Sequence, residues 1–139
     1  MPILRRALKA DGDRVFELIW SGRAEIPLRD SFYSDTNRVH ITGECRRRRV
    51  WIVEADSNLC GALYLQLDQI FYLVVAKEYR RRGIGRMLLQ RVKKPGRYCR
   101  VSPSNKAIIS LIEREGFVYN PDRPVAGDFI GYDFKPTTT

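Results

Sequence analysis

One junction in the chain constrains the fold more than any other feature: an apolar run meets a glycine-containing loop and then an amphipathic segment. The run from Ile70 to Ala76 is almost continuously apolar, which predicts a strand buried on both faces. Apolar residues then recur at helical spacing, which predicts a helix with one apolar face formed by Ile84, Met87, Leu88 and Val92. A buried strand that leads directly into a helix favours an α/β fold.

The loop of this junction has the chemistry of an anion-binding site. Residues 78–86 read Glu-Tyr-Arg-Arg-Arg-Gly-Ile-Gly-Arg. At the start of a helix several backbone N–H groups lack intrahelical partners, and the helix dipole adds partial positive charge there. Gly83 and Gly85 let an anion approach the backbone closely, and the arginines add charge-assisted hydrogen bonds. The segment therefore predicts a pyrophosphate-binding loop, and the alternative is a solvated basic turn shaped by its glycines.

Two common nucleotide-binding loops do not fit this segment. A P-loop requires Lys-Ser or Lys-Thr after its second glycine, and here Gly85 is followed by Arg86 and Met87. The dinucleotide fingerprint requires a third glycine where Leu88 stands, and it normally follows the first strand of a chain. The loop is thus of a different phosphate-binding type.

The remaining segments predict a mixed sheet with helices on both of its faces. Further strands are expected at residues 3–8, 50–55, 59–67, 98–102, 117–119 and 129–134, with helices at about 11–21 and 34–45 and after Ser104. Asp11 or Asp13 is expected to cap the first helix and Ser104 the last one. One domain is predicted over residues 1–135, followed by a disordered tail at 136–139.

Composition narrows the class of partner. Lys and Arg number 25 against 16 Asp and Glu, and the net charge of +9 favours polyanionic partners such as nucleic acid, phosphorylated cofactors or anionic membranes. No apolar run approaches the ~20 residues of a membrane span. Three dispersed cysteines predict neither a disulfide framework nor a metal site, and they point to the reducing cytoplasm. His40 is the single histidine, and without a Gly-x-Ser-x-Gly elbow it argues against a Ser-His-Asp triad.

The junction also resembles the signature of a known family. Residues 73–89 are similar to the acetyl-CoA motif of the GNAT superfamily of N-acetyltransferases, a hydrophobic strand followed by Gln/Arg-x-x-Gly-x-Gly/Ala and an amphipathic helix. Residues 105–117 resemble the family's later helix, which starts at Asn and ends in Gly-Phe. The resemblance implies an α/β single-domain GNAT-like fold. It has a mixed, mostly antiparallel sheet, helices on both faces and a splay between two parallel central strands.

The same resemblance implies a function. Acetyl-CoA would be the acyl donor, and an amine acceptor of unknown identity would attack it directly in a ternary complex. The pantetheine arm would pair with one strand as an added strand does, the loop would bind the pyrophosphate, and a backbone N–H near Val75 would polarise the thioester carbonyl. The cofactor-binding residues implied in this way are Leu73, Val74, Val75, Arg80, Arg81, Arg82, Gly83, Ile84, Gly85, Arg86 and Asn105. Family members are often dimers, so a homodimer is an open expectation.

The chain departs from the family at the usual acid and base positions. A tyrosine that serves as general acid stands seven residues after the asparagine in many members, where this chain has Ile112. A glutamate that serves as base in some members is replaced by Gln69. Neither replacement can transfer a proton. The catalytic residues therefore stay unassigned, with five candidates on neighbouring strands: Tyr72, Tyr98, Cys99, Ser102 and Tyr119.

Three functional hypotheses follow. The first is an acetyl-CoA-dependent N-acetyltransferase acting on a primary amine. The second is a non-catalytic CoA-binding regulator of the same fold, because Gln69 and Ile112 occupy the usual catalytic positions. The third is a basic nucleic-acid-binding protein, for which the second basic run, Arg46 to Arg49, would supply a phosphate-binding surface. The favoured interpretation of that run is instead a solvated basic surface that steers anions.

Overall fold

The sheet is built from the strands that the hydrophobic pattern predicts. A computed structural model describes residues 1–26, 28, 30–125 and 127–136. In this part of the chain the strands are β1 (Ile3–Arg6), β2 (Val50–Ala55), β3 (Asn58–Gln66), β4 (Gln69–Val75), β5 (Tyr98–Val101), β6 (Phe117–Tyr119) and β7 (Ile130–Phe134). The helices are α1 (Gly12–Ser21), α2 (Asp35–Arg46), α3 (Ile84–Val92) and α4 (Lys106–Arg114). Residues 137–139 of the predicted tail lie outside the described residues.

One seven-stranded sheet runs in the order β1-β2-β3-β4-β5-β7-β6 within the described residues. Every neighbouring pair is antiparallel except β4 and β5, which are parallel and pair only at Gln69 with Tyr98 and at Ile70 with Cys99. The predicted mixed, mostly antiparallel sheet with a splayed central parallel pair is confirmed. Because β4 continues to Val75, its last part has β3 on one side and no paired strand on the other.

Helices cover both faces of the sheet. On one face α1 and α2 contribute Phe16, Ile19 and Ile41, all at most 1% exposed, to a core with β2 and β3. On the other face α3 and α4 pack Leu88, Leu89 and other apolar side chains against β3, β4 and β5. Burial of each such leucine stabilises the fold by roughly 1.5–3 kcal/mol relative to exposure. The apolar residues at helical spacing thus form the side of each helix that packs against the sheet.

The predicted cap of α1 is right in position but lacks the capping hydrogen bond, and the predicted cap of α4 is wrong. Asp11 precedes α1, but its side chain makes no capping hydrogen bond to that helix. It instead accepts from the Leu8 N–H at 2.7 Å and pairs with Arg5 and Arg14, so it closes the turn before the helix. The last helix is capped by Asn105 rather than by Ser104, because the Asn105 carboxamide oxygen accepts from the backbone N–H of Ile108.

The burial predicted for the central strand is right on one face and wrong in part on the other. Leu73 and Val74 are buried, but Phe71 is 43% exposed. The register between β3 and β4 shifts between Tyr64 and Leu65, so that Phe71 is an extra residue in β4. Such a bulge re-aims side chains and is common beside active sites. Here it turns one face of β4 towards an opening in the sheet.

Candidate functional site

The candidate site is the gap that opens where β4 and β5 stop pairing. Two cavities lie along it, one of about 880 Å³ over the end of β4 and the start of α3, and one of about 350 Å³ nearer the start of both strands. Both fall in the range of small-molecule sites, ~300–1,000 Å³. They share the lining residues Glu25, Ile26, Leu73, Asn105 and Ile108. The cavities therefore meet at one place.

The backbone of β4 offers hydrogen-bonding groups to this gap. Ala76 donates its N–H to the Cys60 carbonyl of β3 at 2.7 Å. Because the backbone groups of successive residues in a strand point to opposite sides, Val74 also faces β3, while Leu73 and Val75 face the gap. The Val75 carbonyl already accepts a hydrogen bond there, from the Arg80 side chain at 3.3 Å. An extended ligand can thus pair with Leu73 and Val75 as an added strand would.

The loop before α3 presents unpaired N–H groups. Arg81 and Gly83 adopt left-handed backbone conformations, with φ of 65° and 80°. Among the described residues, no backbone or side-chain acceptor pairs with the N–H groups of residues 81–86. An ideal Cβ built on Gly83 meets nothing within 4 Å, so the space above this backbone is open. Left-handed conformation costs a non-glycine residue about 1–2 kcal/mol, and such strain is common at ligand sites.

The arginines of the loop have different surroundings. Arg80 lines the larger cavity and forms an ion pair of 2.6 Å with Glu25, from the segment after α1. Arg86 also lines this cavity and lies 3.5 Å from Glu115, the residue that follows α4. Arg82 does not line this cavity, although its guanidinium carbon lies 5.3 Å from the centroid of the ring of Tyr79, which does. The loop thus directs only some of its positive charge into the cavity.

The start of α4 closes the site from the other side. Asn105 is 9% exposed, uses its carboxamide oxygen as the helix cap, and lines both cavities. Among the described residues, no acceptor pairs with its Nδ2 group, which can therefore donate to a ligand. Gly85 also favours the close approach of α3 and α4, because a Cβ there would lie 2.6 Å from the end of the Leu111 side chain, which would have to move. Gly85 serves helix packing as well as access to the backbone.

The sequence-predicted residues largely come together. The larger cavity is lined by every predicted cofactor-binding residue except Arg82, namely Leu73, Val74, Val75, Arg80, Arg81, Gly83, Ile84, Gly85, Arg86 and Asn105. Sequence reasoning missed Gly22 and Ile26, from the segment after α1, and Ser110 and Arg114 of α4, and it gave Glu25 no contact with the loop. The helical period of α4 could have indicated Ser110 and Arg114.

The smaller cavity is mainly apolar and carries two charges. In the described part of the chain its charged lining residues are Glu25 and Arg100. Both residues at the usual catalytic positions, Gln69 and Ile112, line it, and Ile112 is 1% exposed. Of the five unassigned catalytic candidates, Tyr72 and Cys99 line it, whereas Tyr98, Ser102 and Tyr119 line neither cavity.

Burial sets the protonation of these two candidates. The pKa of the Cys99 thiol is raised to about 12, first by burial and then by the nearby Asp133 carboxylate. The pKa of the Tyr72 hydroxyl is also raised by burial. Both side chains therefore keep their protons at neutral pH. Cys99 is consequently not a thiolate nucleophile.

The second basic run has a structural role that its sequence did not reveal. Arg47 and Arg49 lie 3.3 and 2.9 Å from the carboxylate of Glu44, which is 3% exposed as a residue. The Tyr64 hydroxyl donates to the same carboxylate at 2.9 Å. An ionised carboxylate at such depth requires partners. Part of this run thus neutralises a buried acid rather than forming a free phosphate-binding surface.

The described residues also bear on membrane and metal sites. None of the described helices combines the length and the apolar character needed to cross a membrane. In the same residues no group of three or more His, Cys, Asp or Glu side chains is arranged to hold a metal ion.

Comparison with known proteins agrees with this geometry. Residues 46–119 match the sequence model of the acetyltransferase (GNAT) domain family, which is more than half of the chain. No curated protein sequence matches the chain significantly.

Solved structures share the whole fold. The PaiA N-acetyltransferase of Thermoplasma acidophilum in complex with coenzyme A is 20% identical, with a TM-score of 0.71 and coverage of 98% of this chain and 99% of that one. A GNAT-family acetyltransferase of Streptococcus agalactiae is 18% identical, with a TM-score of 0.75 and coverage of 98% and 96%. The diaminobutyrate acetyltransferase EctA of Paenibacillus lautus, in complex with L-2,4-diaminobutyric acid and coenzyme A, is 20% identical, with a TM-score of 0.70 and coverage of 95% and 93%. At these identities the likeness is one of fold.

Proposed function

The chain belongs to the GNAT acetyltransferase family, and on that premise we propose that it transfers an acetyl group from acetyl-CoA to a primary amine by direct attack in a ternary complex. The observation that carries the proposal is the larger cavity, where unpaired N–H groups at the start of α3 meet the unpaired edge of β4. The amine substrate and the coenzyme A of the Paenibacillus lautus neighbour support the same class of reaction.

The residues of the larger cavity fit acetyl-CoA in chemistry and position. The N–H groups of residues 81–86 and the side chains of Arg80 and Arg86 are donors for the pyrophosphate, in the manner of phosphate sites at helix N-termini. The backbone of Leu73 and Val75 would hold the pantetheine arm, and the Asn105 amide would donate to it from the opposite side. Arg82, which does not line the cavity, is not part of this set.

When bound, acetyl-CoA supplies an acetyl thioester, which an uncharged amine attacks and from which the thiolate leaves. The Val75 N–H, which faces the gap, would donate to the developing oxyanion. Tyr72 retains a proton, so it can donate to the departing sulfur but cannot accept from the amine. Glu25 is the acidic residue, among those described, that lines both cavities at their meeting point. It would receive the amine's proton, directly or through water.

The protonation of Cys99 supports direct attack rather than a relay through an acyl-cysteine. Cys99 is the cysteine that lines the smaller cavity among the described residues, and its raised pKa keeps it a neutral thiol. A thiol is a far weaker nucleophile than a thiolate. Cys99→Ala should therefore retain thiol release within about threefold of the unmodified protein, whereas an acyl-cysteine route would lose it entirely.

The proposal is tested by calorimetric titration with acetyl-CoA, followed by a thiol-release assay with a panel of primary amines. We expect binding and amine-dependent release of free CoA. A chain that gives neither binding heat nor a thermal shift with acetyl-CoA would refute the proposal.

A non-catalytic CoA-binding regulator is the second candidate. It is favoured by the buried Ile112, which places a hydrocarbon where many family members carry an acid. Binding of acetyl-CoA without thiol release across the amine panel would support it over the enzyme.

A further inference from the structure

We propose that the smaller cavity accepts a small amine that also carries a carboxylate, with the carboxylate bound by Arg100 and the ammonium by Glu25. The inference rests on the proposed acetyltransferase function and names its acceptor class. Its basis is that these two oppositely charged residues are the charged ones lining an otherwise mainly apolar cavity of about 350 Å³ in the described part of the chain. A zwitterion matches both charges at once, whereas a simple amine would leave Arg100 without a counter-ion.

The position of Arg100 follows from strand alternation. Its neighbours Cys99 and Val101 pack with the core beneath α3 and α4. Successive side chains of a strand point to opposite faces, so Arg100 lies on the other face of β5 together with Tyr98. Its guanidinium carbon is 5.7 Å from the centroid of the Tyr98 ring. The side chain is thereby held on the face of the sheet that carries α1 and α2.

Arg100 is an incompletely satisfied donor. Its Nε atom is buried and has no hydrogen-bond partner among the described residues. Its Nη groups also lack a hydrogen-bond partner among the described residues but are not fully buried, so they are the donors that a ligand carboxylate can reach. Arg97 has a similarly unpaired Nε, but it lies 3.4 Å from Asp68 and lines neither cavity. Arg123, nearby, is already paired with Asp133. Among these three arginines, Arg100 is thus the one that lines the smaller cavity and is available to bind a ligand there.

The positions of Glu25 and Arg100 also determine how a bound zwitterion would be oriented in the cavity. Glu25 lies where the two cavities meet, and Arg100 lines only the smaller one. An ammonium at Glu25 would face the reactive end of the donor, and the carboxylate would point away from it. Glu25 is paired with Arg80, which we assign to the pyrophosphate. Phosphate oxygens compete with Glu25 for this guanidinium, so donor binding would release the Glu25 carboxylate for the amine.

The kinetic test uses matched acceptors with saturating acetyl-CoA: L-lysine against cadaverine, and β-alanine against β-alaninamide. We expect the carboxylate-bearing member to have a kcat/KM at least about 10-fold higher, since hydrogen bonds to charged groups contribute ~1.5–3 kcal/mol. Arg100→Gln should remove the preference by raising KM for that member alone, and Arg100→Lys should restore it in part. Arg91→Gln is the matched control, because Arg91 lies over Trp51 and lines neither cavity. Equal use of both members, or an equal effect of Arg91→Gln, would overturn the inference.

A second measurement does not depend on turnover. The Nε–Hε resonance of Arg100, assigned by its absence in Arg100→Lys, is followed by NMR during titration with propionate and with propionamide. We expect propionate alone to shift it, and an unmoved resonance would overturn the inference even if every amine is acetylated. Failure of acetyl-CoA to bind would instead refute the proposed function, so the two failures are distinguishable.

Discussion

Neutralising Arg80 is expected to weaken CoA binding with little loss of stability. In Arg80→Gln the protein loses an ion pair with Glu25 in which both side chains are more than a third exposed, 38% and 37%. Pairs of this kind contribute about 0–1 kcal/mol to stability, so the melting temperature should fall by no more than a few degrees. A hydrogen bond between a guanidinium and a phosphate contributes about 1.5–3 kcal/mol.

The net effect on affinity subtracts the pair that Arg80 gives up. With about 0.5 kcal/mol assigned to the exposed pair with Glu25, Arg80 contributes about 1–2.5 kcal/mol to binding, which is roughly a 5- to 70-fold change in Kd. The matched control is Arg82→Gln, which removes the same charge two residues away but from a side chain that does not line the cavity. A screened charge without direct contact should change Kd by less than about twofold.

Isothermal titration of acetyl-CoA into the three proteins measures both effects, and thermal unfolding by circular dichroism checks the fold. If Arg82→Gln weakens binding as much as Arg80→Gln, the loop acts through its total charge. In that case the separate roles assigned to its arginines from their geometry would be wrong.

Three further outcomes are expected. Gly83→Ala should lower the melting temperature by about 3–10 °C in circular dichroism, because a left-handed backbone costs an alanine about 1–2 kcal/mol; an unchanged melting temperature would contradict the observed φ of 80°. Asn105→Ala should lower the free energy of unfolding in urea by about 0.5–2 kcal/mol, because it removes the cap of α4. Asn105→Asp should restore this stability but not the affinity for CoA, since aspartate supplies the cap oxygen without the Nδ2 donor. Recovery of both would show that the Asn105 amide does not bind CoA. Burial alone would raise the pKa of Asp11, but the Arg5 and Arg14 side chains and the Leu8 N–H hold this pKa well below its ordinary value of 3.8. The ionised Asp11 therefore stabilises the folded state above pH 3.8, and this stabilisation is lost as the pH falls further. In Asp11→Asn the free energy of unfolding should be lower at pH 7 and should vary less between pH 5 and 2, and an unchanged pH dependence would show that Asp11 does not contribute to acid unfolding.

The loop side of the larger cavity was predictable from sequence because its parts are local. A strand that ends near Val75 and a helix that starts at Gly83 must place the intervening backbone at the helix N-terminus, whatever surrounds them. Asn105 was identified by resemblance and follows the same logic, since it begins the next helix on that side of the sheet. The direction of Arg82 was not predictable, because a contact with Tyr79 depends on the shape of one turn.

The capping errors have a related cause. Ser104 and Asn105 are both good caps in adjacent positions, and propensity alone does not choose between them. Asp11 also has a favourable cap residue type, but two arginines and a turn N–H compete for its carboxylate. One of them, Arg5, comes from β1, so this competition depends on the assembled sheet.

By itself the sequence determined the order of strands and helices, the glycine-containing loop at the start of α3 and the family, because hydrophobic period, glycine positions and helix starts act over a few residues. Only the tertiary structure decided what the loop faces. The gap exists because β4 and β5 separate after two paired positions, which no local pattern encodes. Glu25 and Arg100, 75 positions apart, line the same cavity because the segment after α1 packs on the face of the sheet to which the Arg100 side chain of β5 points. Long-range packing thus set the charges of the proposed acceptor site, whereas local backbone chemistry set the loop of the proposed donor site.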